Sequence, residues 1–210
     1  MELHSFQIQS NVSRKGKSAA KRTLRTGDVV EPGNDSSLAS ERDELQEAEN
    51  LFSDENKMYE YRFSLYIPDS FPIVSTRLII AQWKEQCPAK ECSDNSPILA
   101  IRFQSGKLFI TLNDDAGRKR LFELKNDCKN RWLDFRFQIR FAQPPNGEIH
   151  AFLNDSSIVT YKGPTCYSQK SGYKSGNNRF YFKMGLYRDR MPEPMFIYLD
   201  EYEKKELIHH

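Results

Sequence analysis

Arg179-Phe180-Tyr181-Phe182-Lys183-Met184-Gly185-Leu186-Tyr187-Arg188-Asp189-Arg190 alternates apolar and non-apolar residues with a period of two, the pattern of a β-strand with one covered face. Phe180, Phe182, Met184 and Leu186 fall on one side and make a core face, while Tyr181, Lys183, Gly185 and Tyr187 fall on the other. Two phenols, an ammonium and the gap left by a glycine are an odd set for a face turned to plain water. They suit contact with a sugar chain, or acid/base chemistry on one. On the residues of this strand alone, the plainer reading stands ahead: an amphipathic edge strand with solvated tyrosines.

The same alternation recurs along the chain. Residues 5–31 read as two short strands around the basic turn Ser13-Arg14-Lys15-Gly16-Lys17, and Pro32 to Ser37 reads as a loop. Met58 to Pro68 puts Tyr59, Tyr61, Phe63, Leu65 and Ile67 inward. Arg77 to Lys84 sets Ile79, Ala81 and Trp83 on one face against Gln82 and Lys84 on the other. Ile98–Phe103 and Lys107–Leu112 form a hairpin through Ser105-Gly106, and Arg118–Leu124 follows. Trp132–Phe141 alternates strictly, and Glu148–Leu153 follows with Asn154-Asp155 as its turn. The Gly/Ser/Lys/Asn-rich residues 165–178 read as a mobile flap, and Met195–Leu199 as a closing strand before a charged tail. With 14 Phe, 10 Tyr and no long helical period in 210 residues, the chain is expected to be one all-β sandwich domain over 1–210.

A net charge of +2 argues against a generic nucleic-acid binder, and no apolar run approaches a membrane span. Four cysteines allow three pairings. Cys87 and Cys92 are expected to close a small loop at a groove rim, leaving Cys128 to meet Cys166. Histidine is nearly absent near them, so the spacing resembles no zinc site. A secreted or periplasmic location follows from this cysteine usage.

Tyr181-Phe182-Lys183-Met184-Gly185-Leu186-Tyr187 resembles the signature strand of the jelly-roll polysaccharide lyases, the alginate-lyase pattern Tyr-Phe-Lys-x-Gly-x-Tyr. Ser40-Glu41-Arg42-Asp43-Glu44-Leu45 is similar to that family's Arg-Ser/Thr-Glu-Leu-Arg, with Gln46 in place of the second arginine. Gln82-Trp83-Lys84 resembles its Gln-x-His, with Lys84 where the family has histidine. Ala19 to Asp28 and the hairpin Gly147–Asp155 with Val159–Pro164 are similar to further family segments in the same order.

The resemblance implies a jelly roll of two antiparallel sheets with a concave groove where Arg42, Gln82, Lys84, Lys183 and Tyr187 meet. It implies β-elimination on a uronic-acid polysaccharide such as glucuronan, alginate or a heparin-like polymer. Tyr187 is then the acid/base, and Arg42, Gln82 and Lys84 neutralise the substrate carboxylate. A phenol's ordinary pKa of about 10 must be lowered for this role, and Lys183 is the expected cation. Tyr181, Glu44 and His150 are expected to contact substrate. His150, the only internal histidine besides His4, shares a face with Glu148 and Phe152 that is either groove or solvent, and it is a candidate for the family's missing base. No cofactor or metal is required, though some relatives carry structural calcium. The expected partner of a monomeric chain is an acidic polysaccharide. A non-catalytic carbohydrate-binding module on the same fold is the alternative.

Overall fold

The backbone folds into two antiparallel sheets laid face to face, with strands numbered here in chain order. In the computed structural model, residues 5–28, 40–87, 92, 96–125, 127–168, 171–173 and 176–208 are described. The loop expected at Pro32–Ser37 and most of the rim loop after Cys87 lie outside them. The first sheet runs β1 (Phe6–Gln9), β2 (Ala19–Leu24), β14 (Met195–Glu206), β5 (Met58–Tyr66), β10 (Trp132–Arg140), β11 (Glu148–Leu153), β12 (Ser156–Lys162). The second runs β3 (Ser40–Gln46), β13 (Arg179–Asp189), β6 (Leu78–Glu85), β7 (Leu99–Gln104), β8 (Lys107–Asp114), β9 (Gly117–Glu123). The short β4 (Ser53–Asp54) pairs with the start of β13. This is the all-β sandwich that the alternation implies, with the jelly-roll plan that the resemblance implies.

The strands form because their odd or even residues are large and apolar, and the two inner faces bury each other. Trp83 of β6 lies 4.7 Å from Phe137 of β10 and 4.7 Å from Phe182 of β13, ring to ring. Phe63 of β5 lies 5.5 Å from Phe182. These contacts join both sheets in one apolar cluster. The hairpins turn where sequence allows a left-handed backbone: Ser105 and Gly106 have φ of 50° and 78°, Asn154 and Asp155 of 49° and 62°.

Where β2 and β14 approach β3 and β13, the sandwich is closed by charge rather than hydrocarbon. Arg188 and Glu41, both fully buried, are 2.8 Å apart. Arg22 pairs with Asp43, and Lys204 lies 3.1 Å from Glu47. Burial outweighs the arginine for Asp43 and pushes its carboxyl up to about 6.

Two expectations are corrected, and the loop expected at 165–178 is held at several of its described residues. The closing strand does not stop at Leu199: β14 continues to Glu206 through an irregularity between Asp200 and Glu203. The charged tail is held because Tyr202 stacks on Phe182 at 5.6 Å and donates to Glu47 at 2.7 Å. Cys87 and Cys92 are bonded as expected, but Cys128 and Cys166 are both free and buried. Cys128 precedes β10, while Cys166 sits just past the other end of that strand, where the Gln143 amide donates to its carbonyl at 2.9 Å, so the length of β10 holds the two roughly 30 Å apart, far beyond disulfide reach. The flap is tethered: Cys166, Tyr167 and Tyr173 are buried, and the Tyr167 N–H donates to Glu85 at 2.7 Å.

Candidate active site

β13 sits between β3 and β6 and carries Tyr181, Lys183 and Tyr187 on the outer face of the second sheet. Its inner face is Phe180, Phe182, Leu186 and the buried Arg188. Cross-strand register then fixes the neighbours. Arg42 of β3 lies opposite Tyr187, Glu44 opposite Gly185, and Gln46 opposite Lys183. On the other side Gln82 of β6 lies opposite Lys183, and Lys84 opposite Tyr181. The structure therefore brings together Arg42, Glu44, Gln82, Lys84, Tyr181, Lys183 and Tyr187.

Gly185 is what lets β3 come so close. Its φ is +143°, and a Cβ built there would stand 2.1 Å from the Asp43 carbonyl oxygen. Only glycine accepts both the backbone angle and the approach.

The Tyr187 ring is held by two guanidinium groups. Arg42 lies 4.7 Å and Arg77 4.8 Å from the ring centre. Arg77 also donates from Nη1 to the phenolic oxygen at 3.3 Å, and the hydroxyl in turn donates to Ser40 Oγ at 3.4 Å. Asp189 fixes Arg77 by accepting from its Nε at 2.8 Å. Negative charge arising on the phenolic oxygen thus meets a pre-positioned cation.

In the rest of the cluster Gln82 is buried, and Glu44, Lys84, Tyr181 and Lys183 are half-buried. Gln82 donates its amide N–H to Glu44, which orients the glutamine and leaves Glu44 Oε2 buried without a hydrogen-bond partner. Lys183 lies 5.5 Å from the Tyr181 ring centre. Burial lowers the Lys183 pKa, and nearby Arg42 lowers it further against the pull of Glu44. Burial, helped by Glu44, raises that of Tyr181, whose ring stacks on Phe52 at 5.0 Å.

His150 is not part of this cluster. It belongs to β11 in the other sheet, opposite Gln138 and Thr160, on the outer face beside Glu148 at 3.5 Å. Strand alternation gives a face but not a sheet, so the sequence left its side open. Nor is Lys183 the cation touching the phenol; Arg77 and Arg42 are. Sequence alternation assigns Arg77 to the core with Ile79, Ala81 and Trp83. A bulge in β6 between Ile79 and Ala81 reverses that parity, so Ile79 lies opposite Tyr187 and Arg102. An arginine assigned by alternation to a core face was the one signal of the bulge. Among the described residues no group of three or more His, Cys, Asp or Glu side chains is gathered as a metal site.

Beyond Tyr187 the outer face holds, over β7, β8 and β9, a cleft of about 390 Å³ lined by Arg77, Arg102, Gln104, Thr111, Arg118 and Arg120. A cleft of about 350 Å³ on the first sheet is different in kind. Its Arg14 and Asp134 are 2.7 Å apart, and Lys15 lies 3.1 Å from Glu201, so its charges are already matched.

Comparison with solved structures gives the same architecture. The endo-β-1,4-glucuronan lyase of the fungus Trichoderma reesei matches with a TM-score of 0.75 at 17% identity, over 95% of this chain and 85% of that one. The alginate lyase A1-II', of polysaccharide lyase family 7, matches with a TM-score of 0.67 at 14% identity, over 98% and 85%. An alginate lyase from Corynebacterium sp. matches with a TM-score of 0.55 at 16% identity, over 96% and 81%. No curated protein sequence matches. The polysaccharide lyase family model covers residues 2–203, nearly the whole chain and all of the Tyr187 cluster, and the chain belongs to that family of lyases.

Proposed function

We propose that this lyase cleaves a uronic-acid polysaccharide by β-elimination, with Tyr187 as the catalytic acid and base. The observation that carries this reading is the Tyr187 hydroxyl, hydrogen-bonded to Arg77 with its ring between Arg77 and Arg42, on the outer face of the second sheet. Arg42, the second amide N–H of Gln82 and Lys84 bind the uronate carboxylate and stabilise the enolate-like charge built when the C5 proton leaves. The Tyr187 phenolate takes that proton, the C4–O4 bond breaks as the C4–C5 double bond forms, and the phenol returns the proton to the leaving oxygen. Atoms and charge balance over the cycle, and the residue is regenerated.

One phenol serves both transfers when the C5 hydrogen and the C4 oxygen leave from the same side of the ring. That geometry holds for glucuronate and mannuronate, so glucuronan is the first polymer to test, with alginate next. Lys84 acts here as the carboxylate's counter-charge and not as base, since an ordinary lysine is protonated at neutral pH. The Cys87–Cys92 bond agrees with an exported enzyme, secreted or periplasmic.

Tyr187→Phe removes one oxygen from a partly exposed ring. Formation of unsaturated product, followed by ultraviolet absorbance, is expected to fall by about a hundredfold to ten-thousandfold, the range for loss of an acid/base group. Polymer binding is expected to stay within a few-fold. Near-full activity in Tyr187→Phe overturns this mechanism, and binding without product from any uronate polymer overturns the substrate assignment.

A further inference from the structure

The side chain that the mechanism leaves unused is Arg102. It stands on β7, two strands across from Tyr187 in one row of cross-strand partners: Arg42, Tyr187, Ile79, Arg102, Phe109, Glu123. At a strand spacing of about 4.8 Å, its backbone is roughly 10 Å from that of the tyrosine. Arg102 is 5% exposed, yet its hydrogen bond is to a neutral group, the Thr111 hydroxyl at 3.0 Å.

Buried arginines are normally matched by a carboxylate. Here the charged neighbours are like charges. Burial, then Arg118 and Arg77, push the Arg102 pKa down to about 10. Arg118 bonds a neutral amide, the Asn113 oxygen at 3.2 Å. Arg120 packs over the Phe109 ring at 4.4 Å, which aims its guanidinium along the same cleft. Glu123, its ion-pair partner, is shared with Lys107. Arg77 is paired with Asp189 and Arg120 with Glu123, but Arg102 and Arg118 bond neutral groups, so the cleft carries positive charge in excess of its carboxylates, a state that costs stability until an anion enters.

We propose that Arg102, Arg118 and Arg120 form a second oxyanion subsite, which holds a carboxylate or sulfate ester on a sugar further along the chain than the one being cleaved. This rests on the lyase reading for the identity of the polymer, and not for the existence of the subsite. Arg77 links the two sites, because it bonds the Tyr187 hydroxyl and also lines the cleft. A polymer with acidic groups on successive sugars is thereby held at two points across the strands. A neutral glucan gains nothing from the second.

The test separates binding from turnover. In a Tyr187→Phe background, which keeps the polymer intact, equilibrium binding of polyglucuronate is compared with and without Arg102→Met, and with and without the exposed pair Arg118→Gln/Arg120→Gln. A sulfated uronic-acid glycan and its desulfated form are run alongside. Loss of a charge-assisted contact is expected to weaken binding about tenfold in each variant. A loss on all acidic polymers assigns the site to carboxylate; a loss confined to the sulfated glycan assigns it to sulfate. Unchanged affinity for every polymer in both variants overturns the proposal. In the otherwise wild-type enzyme the same substitutions are expected to raise KM with kcat kept. If the wild type forms no product at all, the lyase reading fails while the binding comparison still decides the subsite.

Discussion

Glu85 is the next residue after Lys84, and its side chain enters the core instead of the groove. It is 1% exposed; one carboxyl oxygen accepts the Tyr167 N–H at 2.7 Å and the other is buried without a partner. Burial, with Glu55 and Asp115 nearby, raises its pKa from 4.5 to about 8. The native state therefore keeps a proton that the unfolded chain gives up, and stability falls as pH rises from about 4.5 through about 8. At about 1.4 kcal/mol per pH unit the full penalty in alkali is on the order of 5 kcal/mol, comparable with the whole stability of many domains. Glu85→Gln keeps the acceptor for Tyr167 and stays neutral at every pH. Urea unfolding of both proteins at about pH 5 and about pH 9 is the measurement. The two are expected to be similar in acid, with the variant the more stable by several kcal/mol in alkali. A difference independent of pH would refute the assignment of a neutral Glu85.

Two further outcomes follow from the packing under the site. Gly185→Ala forces a methyl against the Asp43 carbonyl, so β3 must move away from β13; both melting temperature and turnover are expected to drop, and an unchanged melting temperature would contradict the close approach. Glu41→Gln leaves Arg188 buried without its counter-charge and is expected to cost about 3–5 kcal/mol in urea unfolding, against less than about 1 kcal/mol if that pair were merely a surface contact.

The period-two pattern made the strands legible, and the Tyr187 strand with its resemblance located the groove face. What stayed hidden depends on parity and on three-dimensional ends. The β6 bulge turns Arg77 from the core to the phenol, and its one trace in the sequence is an arginine in phase with Ile79, Ala81 and Trp83. Pairing Cys128 with Cys166 by elimination ignored the strand that lies between them. The tail beyond Leu199 reads as solvated by composition, yet Tyr202 and Lys204 find Glu47, which is distant in sequence. His150 alternates correctly and sits in the wrong sheet, because alternation carries no label for the layer.

β3 is a terminal strand of its sheet among the described elements, and its outer backbone row meets residue 28 at one point, where the Arg42 N–H donates to the Asp28 carbonyl at 3.0 Å. A terminal strand is where a β-protein risks adhering to another copy of itself. Its sequence, Ser40-Glu41-Arg42-Asp43-Glu44-Leu45-Gln46, is about as poor a template for self-association as a strand can be, with charge at four consecutive positions. Arg42 and Glu44 therefore guard solubility at the same place where the proposed mechanism puts the sugar. Selection on that strand answers to colloidal behaviour as well as to turnover, and a substitution there that spares catalysis can still be lost to precipitation.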